Sequence, residues 1–313
     1  MPNFNGVWSL TTQLQYKSDW PVFITPTALI HLGMNSSGVG QNTVETVRID
    51  TTANTTDFGD LTQSKSGCGH SGASTVRGIF SGGTVPGSGR TDTIEFMTFA
   101  SAGNGTDFGN LLETNANPSS LSSSTRNVTG GGNTAGGGTN RIQYVTIASA
   151  GNATDFGDLT VTRYEFGSTA SPTRGLWMVG NTGVGTTNVI DYVTIASTGN
   201  ATDFGDSTKS VENPMVGASN TTAVSGGGSG SSDIIDFVTI ASTGNASDFG
   251  DLTSGRGRGG GTSNKIRVLF AGGDSDVMDF ITIASAGNAT DFGDLSASGA
   301  LCSACCPTHG GIL

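Results

Sequence analysis

Hydrophobic and polar residues alternate along the chain in short segments, and each segment is followed by a turn. In Val193-Thr194-Ile195-Ala196-Ser197 the β-branched residues recur with period two, which is typical of a β-strand with one buried face. The following Thr198-Gly199-Asn200 is a turn, because Gly and Asn adopt positive φ at low cost. Residues 201–206 then form the returning strand of a hairpin. No segment shows helical periodicity, so the pattern predicts an all-β protein.

This hairpin belongs to a repeat, and its D-F-G motif marks each copy. The Phe recurs at spacings of 50, 48, 48, 45 and 43 residues, as Phe58, Phe108, Phe156, Phe204, Phe249 and Phe292. A second apolar segment that runs into glycine lies between successive motifs, at Arg77 to Gly83, Arg126 to Gly132, Arg174 to Gly180, Thr222 to Gly228 and Arg267 to Gly273, with a weaker copy at Ala28 to Met34. The Ser/Gly-rich stretch before it supplies a fourth strand. Four strands in each of several repeats of this length predict a β-propeller.

The two ends of the chain resemble complementary parts of one repeat. Trp8 to Trp20 aligns without gaps on Phe96 to Phe108, and Thr308 to Leu313 aligns on Thr173 to Met178. We therefore expect six whole repeats across residues 22–295 and a closing blade made of residues 1–21 and 296–313. The prediction is a single domain over residues 1–313, a seven-bladed propeller whose terminal strands close the ring and cover its exposed strand edges.

The two aspartates that flank each Phe-Gly are candidate ligands. They lie three residues apart, as Asp57 and Asp60, Asp155 and Asp158, Asp203 and Asp206, Asp248 and Asp251, and Asp291 and Asp294. Paired carboxylates can bind Ca²⁺, which prefers six to eight oxygen ligands. The alternative, which we favour, is that each Asp accepts hydrogen bonds from nearby turn N–H groups. A pair repeated in nearly every blade is not typical of a catalytic site, because catalysis breaks the symmetry.

A second candidate cluster lies near the carboxyl end of the chain. Cys302, Cys305, Cys306 and His309 include a C-x₂-C with a nearby His, which could begin a zinc site. Cys68 and His70 lie in the equivalent loop of another blade and could join it. A disulfide and free thiols are the other two interpretations, and we favour free thiols. We assign no catalytic residue, metal or cofactor.

Composition narrows the classes of function. The chain has 14 Lys+Arg against 25 Asp+Glu, a net charge of −11, which argues against a nucleic-acid surface. No apolar run approaches the roughly 20 residues of a membrane span. Met1 to Asn5 shows no basic region followed by an apolar one, so no signal peptide is expected. The three histidines and four tyrosines do not supply the ligand and nucleophile sets of propeller enzymes.

The repeats resemble two known groups. A Gly-Gly pair, then an aromatic in the next strand and a second aromatic about 12 residues later, resembles the Kelch repeat. The first aromatics are Phe96, Tyr144, Tyr192, Phe237 and Phe280. The string T-I-A-S-x-G-N-A-T-D-F-G-D-L together with T-R-G-x-F-x-G-G is similar to repeats in virion proteins of tailed phages, especially phages of cyanobacteria. The resemblance covers about residues 6–313.

The phage resemblance implies a non-enzymatic structural protein of the virion, associated with the tail as a fibre or adaptor. Its expected partners are other virion proteins and a host-surface glycan or protein, in several symmetric copies and without membrane insertion. Its expected location is the virion, after assembly in the host cytoplasm. The variable segments Thr84 to Arg90, Glu113 to Ser124 and Ser254 to Ser263 are the expected binding loops. The alternatives are a cellular Kelch-type scaffold or adhesin and, with less support, a glycan-active propeller enzyme.

Overall fold

The computed structural model describes residues 24–312, and these residues form strands and turns without a helix. Six four-stranded antiparallel sheets are arranged as the blades of a propeller. This confirms the all-β class and the four-stranded repeat. No helix long and apolar enough to span a membrane is found in residues 24–312.

Each blade runs from an inner strand at the axis to an outer strand that begins with the D-F-G motif. From the axis outward, blades 1 to 3 are β28 (Ser303–Cys305), β1 (Thr27–His31), β2 (Gln41–Arg48) and β3 (Thr56–Lys65); β4 (Gly72–Ala73), β5 (Arg77–Ser81), β8 (Thr93–Thr98) and β9 (Thr106–Asn110); and β10 (Ser119–Ser122), β11 (Arg126–Gly130), β14 (Arg141–Thr146) and β15 (Thr154–Asp158). Blades 4 to 6 are β16 (Gly167–Ala170), β17 (Arg174–Met178), β18 (Val189–Thr194) and β19 (Thr202–Asp206); β20 (Met215–Ala218), β21 (Thr222–Gly226), β22 (Ile234–Thr239) and β23 (Ser247–Asp251); and β24 (Gly259–Ser263), β25 (Arg267–Gly272), β26 (Ser275–Thr282) and β27 (Thr290–Gly299). Two short hairpins complete the set, β6 (Thr84–Val85) with β7 (Gly89–Arg90) and β12 (Asn133–Thr134) with β13 (Gly137–Gly138).

Blade 1 combines strands from both ends of the described chain. Its inner strand β28 pairs with β1, with Leu29 opposite Cys305 and His31 opposite Ser303. Blade 6 then contacts blade 1 directly, because the Thr55 N–H donates to the Asp294 carbonyl at 3.0 Å. The described residues therefore close a ring of six blades.

The expectation of seven blades is not confirmed. Residues 296–299 belong to the outer strand of blade 6, and residues 303–305 fill the inner position of blade 1. Residues 1–21, the other half of the expected closing blade, lie outside the described residues. Residues 308–312 form turns and not a strand, so the expectation that this segment repeats the second strand of a blade was wrong for the described residues; the strand of this region is Ser303–Cys305.

The Phe of each D-F-G motif is a core residue between adjacent blades. All six Phe side chains are buried, with at most 6% of the surface exposed. In blades 2 to 6 the Phe packs edge-to-face against the aromatic of the third strand, with ring centroids 5.8–6.0 Å apart. Such a pair contributes roughly 0.5–1.5 kcal/mol beyond the burial of its area. The Phe of each motif is thus a structural residue of the contact between blades.

Each blade is also joined to its neighbour by a clip, the turn between the third and fourth strands, which has the sequence G-N in blades 2 to 6 and Ala53-Asn54 in blade 1. In the contact between blades 3 and 4, the Gly199 N–H donates to the Phe156 carbonyl at 2.8 Å, and Asn200 Oδ1 accepts from the Asp158 N–H at 3.1 Å. Gly157 sits in a β-bulge at φ +150°, where a Cβ would lie 2.5 Å from the Gly199 carbonyl oxygen. The D-F-G glycine is therefore required by backbone conformation and by close approach of the next blade. The clip also covers the outer strand edge.

A buried polar side chain on the third strand adds a second link between blades. It accepts an N–H from the preceding blade at 2.7–3.2 Å, with acceptors Glu45, Glu95, Gln143, Asp191, Asp236 and Asp279. Three of these carboxylates form buried ion pairs, Glu95 with Lys65 at 2.6 Å and Asp191 with Arg163 and Asp279 with Arg256 at 2.7 Å. Gln143 is the neutral member, and Asn115 stands in its blade pair at the position of the cation.

Candidate functional site: the axis and the loop face

The two faces of the ring carry different connections. The loop face carries the connections between the second and third strands of each blade and those between successive blades. The turn face carries the tight turns between the first and second strands and between the third and fourth. Binding residues of propellers are expected on connections like those of the loop face, because long loops tolerate variation while the strands hold them in place.

The axis is filled by small side chains of the six inner strands. Strands such as Ser119–Ser122 and Gly259–Ser263 are buried along their whole length, and neighbouring inner strands pack on one another. At Gly261 a Cβ would lie 2.2 Å from the Val216 nitrogen, so only glycine allows this approach. The Gly and Ser residues of the inner strands are therefore explained by the close packing of these strands at the axis.

His70 closes the axis toward the loop face. Its Nε2 lies 3.1 Å from the Pro214 carbonyl oxygen, which belongs to the connection that precedes blade 5 on the opposite side of the ring. The side chain is buried, and this burial lowers the pKa of the imidazole below its usual value. His70 thus connects two opposite sides of the ring across the axis as a neutral imidazole.

Residues 306–312 close the axis toward the turn face. His309 Nε2 lies 3.0 Å from the Ala73 carbonyl oxygen and 3.1 Å from Ser122 Oγ, while its Nδ1 accepts the Gly311 N–H at 3.0 Å. Nδ1 is therefore unprotonated. Burial lowers the pKa of His309 to about 4, which keeps this arrangement at neutral pH.

Around His70 and between it and residues 306–312, the axis has little free space. Two cavities of about 30 Å³ flank His70, each with room for one or two water molecules. A pocket for a small-molecule substrate has a volume of about 300 Å³ or more. The axis of the described ring does not offer such a pocket.

A belt of residues surrounds the mouth of the axis on the loop face. Asn117, Glu165, Asn213 and Arg258 occupy equivalent positions, and all adopt φ between 52° and 66°. The Glu165 carboxylate accepts from Asn117 Nδ2 at 3.1 Å and from Asn213 Nδ2 at 3.2 Å. Partial burial raises the pKa of Glu165, and the charge of Glu212 raises it further. Asn117 and Arg258 lie within two of the expected binding loops, whereas the sequence did not point to Glu165 or Asn213, because the repeats differ in residue type at this position.

The loop face is uneven around the ring. Hairpins stand up from blades 2 and 3, whereas β25 and β26 of blade 6 are joined by only Gly273 and Asp274. A cleft of about 270 Å³ results between blades 5 and 6, and its charged lining is Glu212, Asp274, Arg256 and Arg258. Arg256 is already paired with Asp279. The cleft is thus one departure from symmetry on the loop face, beside the two hairpins.

The two aspartates flanking each Phe-Gly are not joined by a third acidic, Cys or His side chain in residues 24–312. The first Asp of each pair is exposed, and no group of three or more His, Cys, Asp or Glu side chains is placed to hold a metal within that range. Asp203 accepts the Gly205 N–H at 3.2 Å, as the turn interpretation expects. The hydrogen bond that recurs around the ring is instead donated by the main-chain N–H of the second Asp, and the clip Asn of the next blade accepts it.

The cysteines are buried free thiols, as the favoured interpretation predicted. Cys305 packs between blades 1 and 2, whereas Cys306 belongs to the core between blades 6 and 1, and Cys302 Sγ contacts the Leu32 carbonyl. They therefore point into different cores, because consecutive residues of an extended chain face opposite sides. Burial raises the pKa of each of these thiols.

Of the three expected binding loops, one is a free loop in full. Residues 84–90 form the hairpin of blade 2 on the loop face. The segments 113–124 and 254–263 contain the inner strands β10 and β24, which are buried at the axis. The expectation was wrong for those parts, because low-complexity Ser/Gly sequence looks the same in a loop and in a strand packed against a neighbour.

No protein-family model matches this chain, and no similar sequence is found among curated proteins.

Proposed function

We propose that this protein is a non-enzymatic structural component of a tailed-phage virion, associated with the tail, whose loop face docks onto another virion protein or the host surface. The repeat string with D-F-G-D-L supports the phage origin. The fold supports a binding role, since a ring with the same clip at all six blade contacts presents its loops in fixed positions.

The closed axis is the observation that carries this proposal. Propeller enzymes bind substrate at the mouth or inside of the ring, whereas here His70 and residues 306–312 leave only cavities of about 30 Å³. The buried charged pairs also have structural partners. Arg163 donates to the Trp177, Val179 and Val189 carbonyls in addition to Asp191. These groups hold blades together rather than face a ligand.

The cleft between blades 5 and 6 is the part of the loop face that we assign to docking. Glu212 and Asp274 bring two carboxylates to it, and the half-buried Arg258 lies 3.4 Å from Asp274. The charges that line the cleft are mixed, since Arg258 pairs with Asp274, and it is the net charge of −11 that favours a partner with basic side chains. Such complementarity mainly raises the association rate and depends on salt.

Two measurements test the proposal. Mass spectrometry of purified particles, followed by a particle map, is expected to find the ring on the tail with its loop face in contact. The double variant Glu212→Gln, Asp274→Asn is expected to weaken assembly or adsorption, whereas the control Asp155→Asn, Asp203→Asn on exposed outer-strand positions leaves both unchanged. Particles without the protein would overturn the virion role, and equal effects of the two double variants would overturn the docking surface.

A further inference from the structure

The six clip turns differ in one chemically important residue. In each turn the clip Asn is followed by Thr, Gly or Ala, in the pairs Asn54-Thr55, Asn104-Gly105, Asn152-Ala153, Asn200-Ala201, Asn245-Ala246 and Asn288-Ala289. Only Asn104 of these six precedes glycine. Glycine matters because the main-chain nitrogen of the following residue can attack the Asn side-chain carbonyl carbon, and a Cβ on that residue hinders the attack.

The reaction forms and breaks one bond at each stage. The Gly105 nitrogen, losing its proton, attacks Cγ of Asn104, and the side-chain amide nitrogen leaves as ammonia. The five-membered succinimide then takes up a water molecule and opens to aspartate or isoaspartate. The net change is amide plus water to acid plus ammonia, without an oxidant or reductant. Asn104 is exposed, so solvent water reaches it.

The closed clip holds both reacting groups. Asn104 Oδ1 accepts the Asp60 N–H at 3.1 Å, and the Gly105 N–H donates to the Asp60 carbonyl at 2.7 Å. The Gly103 N–H is bonded to the Phe58 carbonyl at 2.9 Å. Attack on Cγ requires the Gly105 nitrogen to leave Asp60 and the Asn104 side chain to rotate, so the contact between blades 1 and 2 must open first.

We propose that Asn104 is a deamidation site that the clip protects, and that its modification loosens blade 2 from blade 1. An aspartate product keeps the accepting oxygen but places a new carboxylate beside Asp60, and like charges repel. An isoaspartate product adds a methylene to the main chain, so the three bonds to Phe58 and Asp60 can no longer form together. The five sister turns lack the glycine and are expected to persist.

The test follows modification at each clip Asn by peptide mapping in mildly alkaline buffer, with the full chain folded or unfolded in urea. We expect Asn104 to react first in the unfolded chain, and at least about tenfold more slowly in the folded protein, because the reaction samples only the open contact. Equal rates at Asn104 in the folded and the unfolded chain would overturn the proposed protection by the clip. A rate at Asn104 no higher than at Asn152 in the unfolded chain would overturn Asn104 as the preferred site.

Gly105→Ala is the matched variant. It gives the Asn-Ala sequence of four sister blades, and its Cβ would lie 3.3 Å from the Leu61 Cα at the closest. We expect an unchanged melting temperature and reaction at Asn104 as slow as at Asn152. Purified deamidated wild-type protein should melt at a lower temperature and exchange the Asp60 amide hydrogen faster. A deamidated protein with wild-type melting and exchange would overturn the loosening.

Discussion

Two contacts between neighbouring blades, that of blades 3 and 4 and that of blades 2 and 3, differ in the charge of their buried polar residues. The first buries Arg163 and Asp191 as an ion pair at 2.7 Å, with both side chains fully inaccessible. The second places Asn115 and Gln143 at the same two positions, and Gln143 accepts the Leu112 N–H at 2.8 Å. The charge changes at both positions together. In these two contacts both positions are charged or both are neutral, so we interpret each pair as a matched unit, and Gln143 shows that the acceptor position does not require a charge.

Removing one charge should break the ion-paired contact far more than the neutral one. Asp191→Asn leaves the Arg163 guanidinium buried without its counterion, although burial already lowers its pKa to about 10 and the group stays charged at neutral pH. We expect a loss of about 3–5 kcal/mol in the free energy of unfolding by urea. The control Gln143→Ala should lose about 1–3 kcal/mol, the cost of one unsatisfied buried donor. Similar losses at both sites would show that charge plays no part in the difference.

Converting one contact into the other is the sharper test. The double variant Arg163→Asn, Asp191→Gln gives blades 3 and 4 the neutral pair of blades 2 and 3. It should regain most of the stability lost by Asp191→Asn and unfold within about 1–2 kcal/mol of the wild type, because replacing a buried ion pair as a unit is often nearly neutral. A double variant less stable than Asp191→Asn would contradict the matched-unit interpretation.

Neither of the two contacts contains a histidine, so an acid pH profile separates them from the axis. Burial lowers the pKa of His309, at the axis, and of His31, in the second strand of blade 1, to about 4, below the ordinary value of 6.5. The unfolded chain therefore binds more protons below pH 6.5, and stability should fall as the pH drops from 6.5 toward 4. The expected loss at pH 4 is about 2–3 kcal/mol per histidine. His309→Gln should flatten the profile of melting temperature against pH; an unchanged profile would show that His309 does not titrate in this range.

Adding a charged contact on the surface should have a small effect. In blades 3 and 4, Arg126 and Arg174 lie 4.6 and 4.7 Å from the centroids of Tyr144 and Tyr192, and each donates to two carbonyls of the next blade. Blade 5 has Thr222 at this position, beside Phe237. Thr222→Arg should raise the stability by about 0.5–1 kcal/mol, measured by urea unfolding. A loss of stability would mean that blade 5 does not accommodate the side chain.

The sequence predicted most of the blade and misjudged the closure. The D-F-G Phe, the G-N turn and the four strands follow from local periodicity, and the structure confirms each of them. The blade count depends on which distant strand pairs with Thr27–His31, and repeat similarity carries no information on that pairing. The short segment Ser303–Cys305 has no repeat signature of its own, because its small side chains are chosen for a crowded axis.

The residues of the candidate site were harder to predict from the sequence than the fold. Glu165 and Asn213 differ in residue type at equivalent positions, so a search for recurring residues does not find them, and Arg258 was predicted only as part of the loop Ser254 to Ser263. Their proximity arises only when six inner strands converge on one axis. The paired Asp residues, by contrast, recur clearly, but their position in the motif reflects the bulge and the clip.

The pairing of Ser303–Cys305 with Thr27–His31 is the central claim, and a disulfide tests it most directly. Leu29 lies opposite Cys305 in the sheet, and paired Cα atoms of antiparallel strands are about 4.5–5.5 Å apart, within the range that a disulfide spans. Leu29→Cys should form a disulfide with Cys305 under mild oxidation, identified by peptide mapping, and the same variant with Cys305→Ala should not. Free thiols at both positions in a folded, oxidised protein would contradict the six-bladed closure.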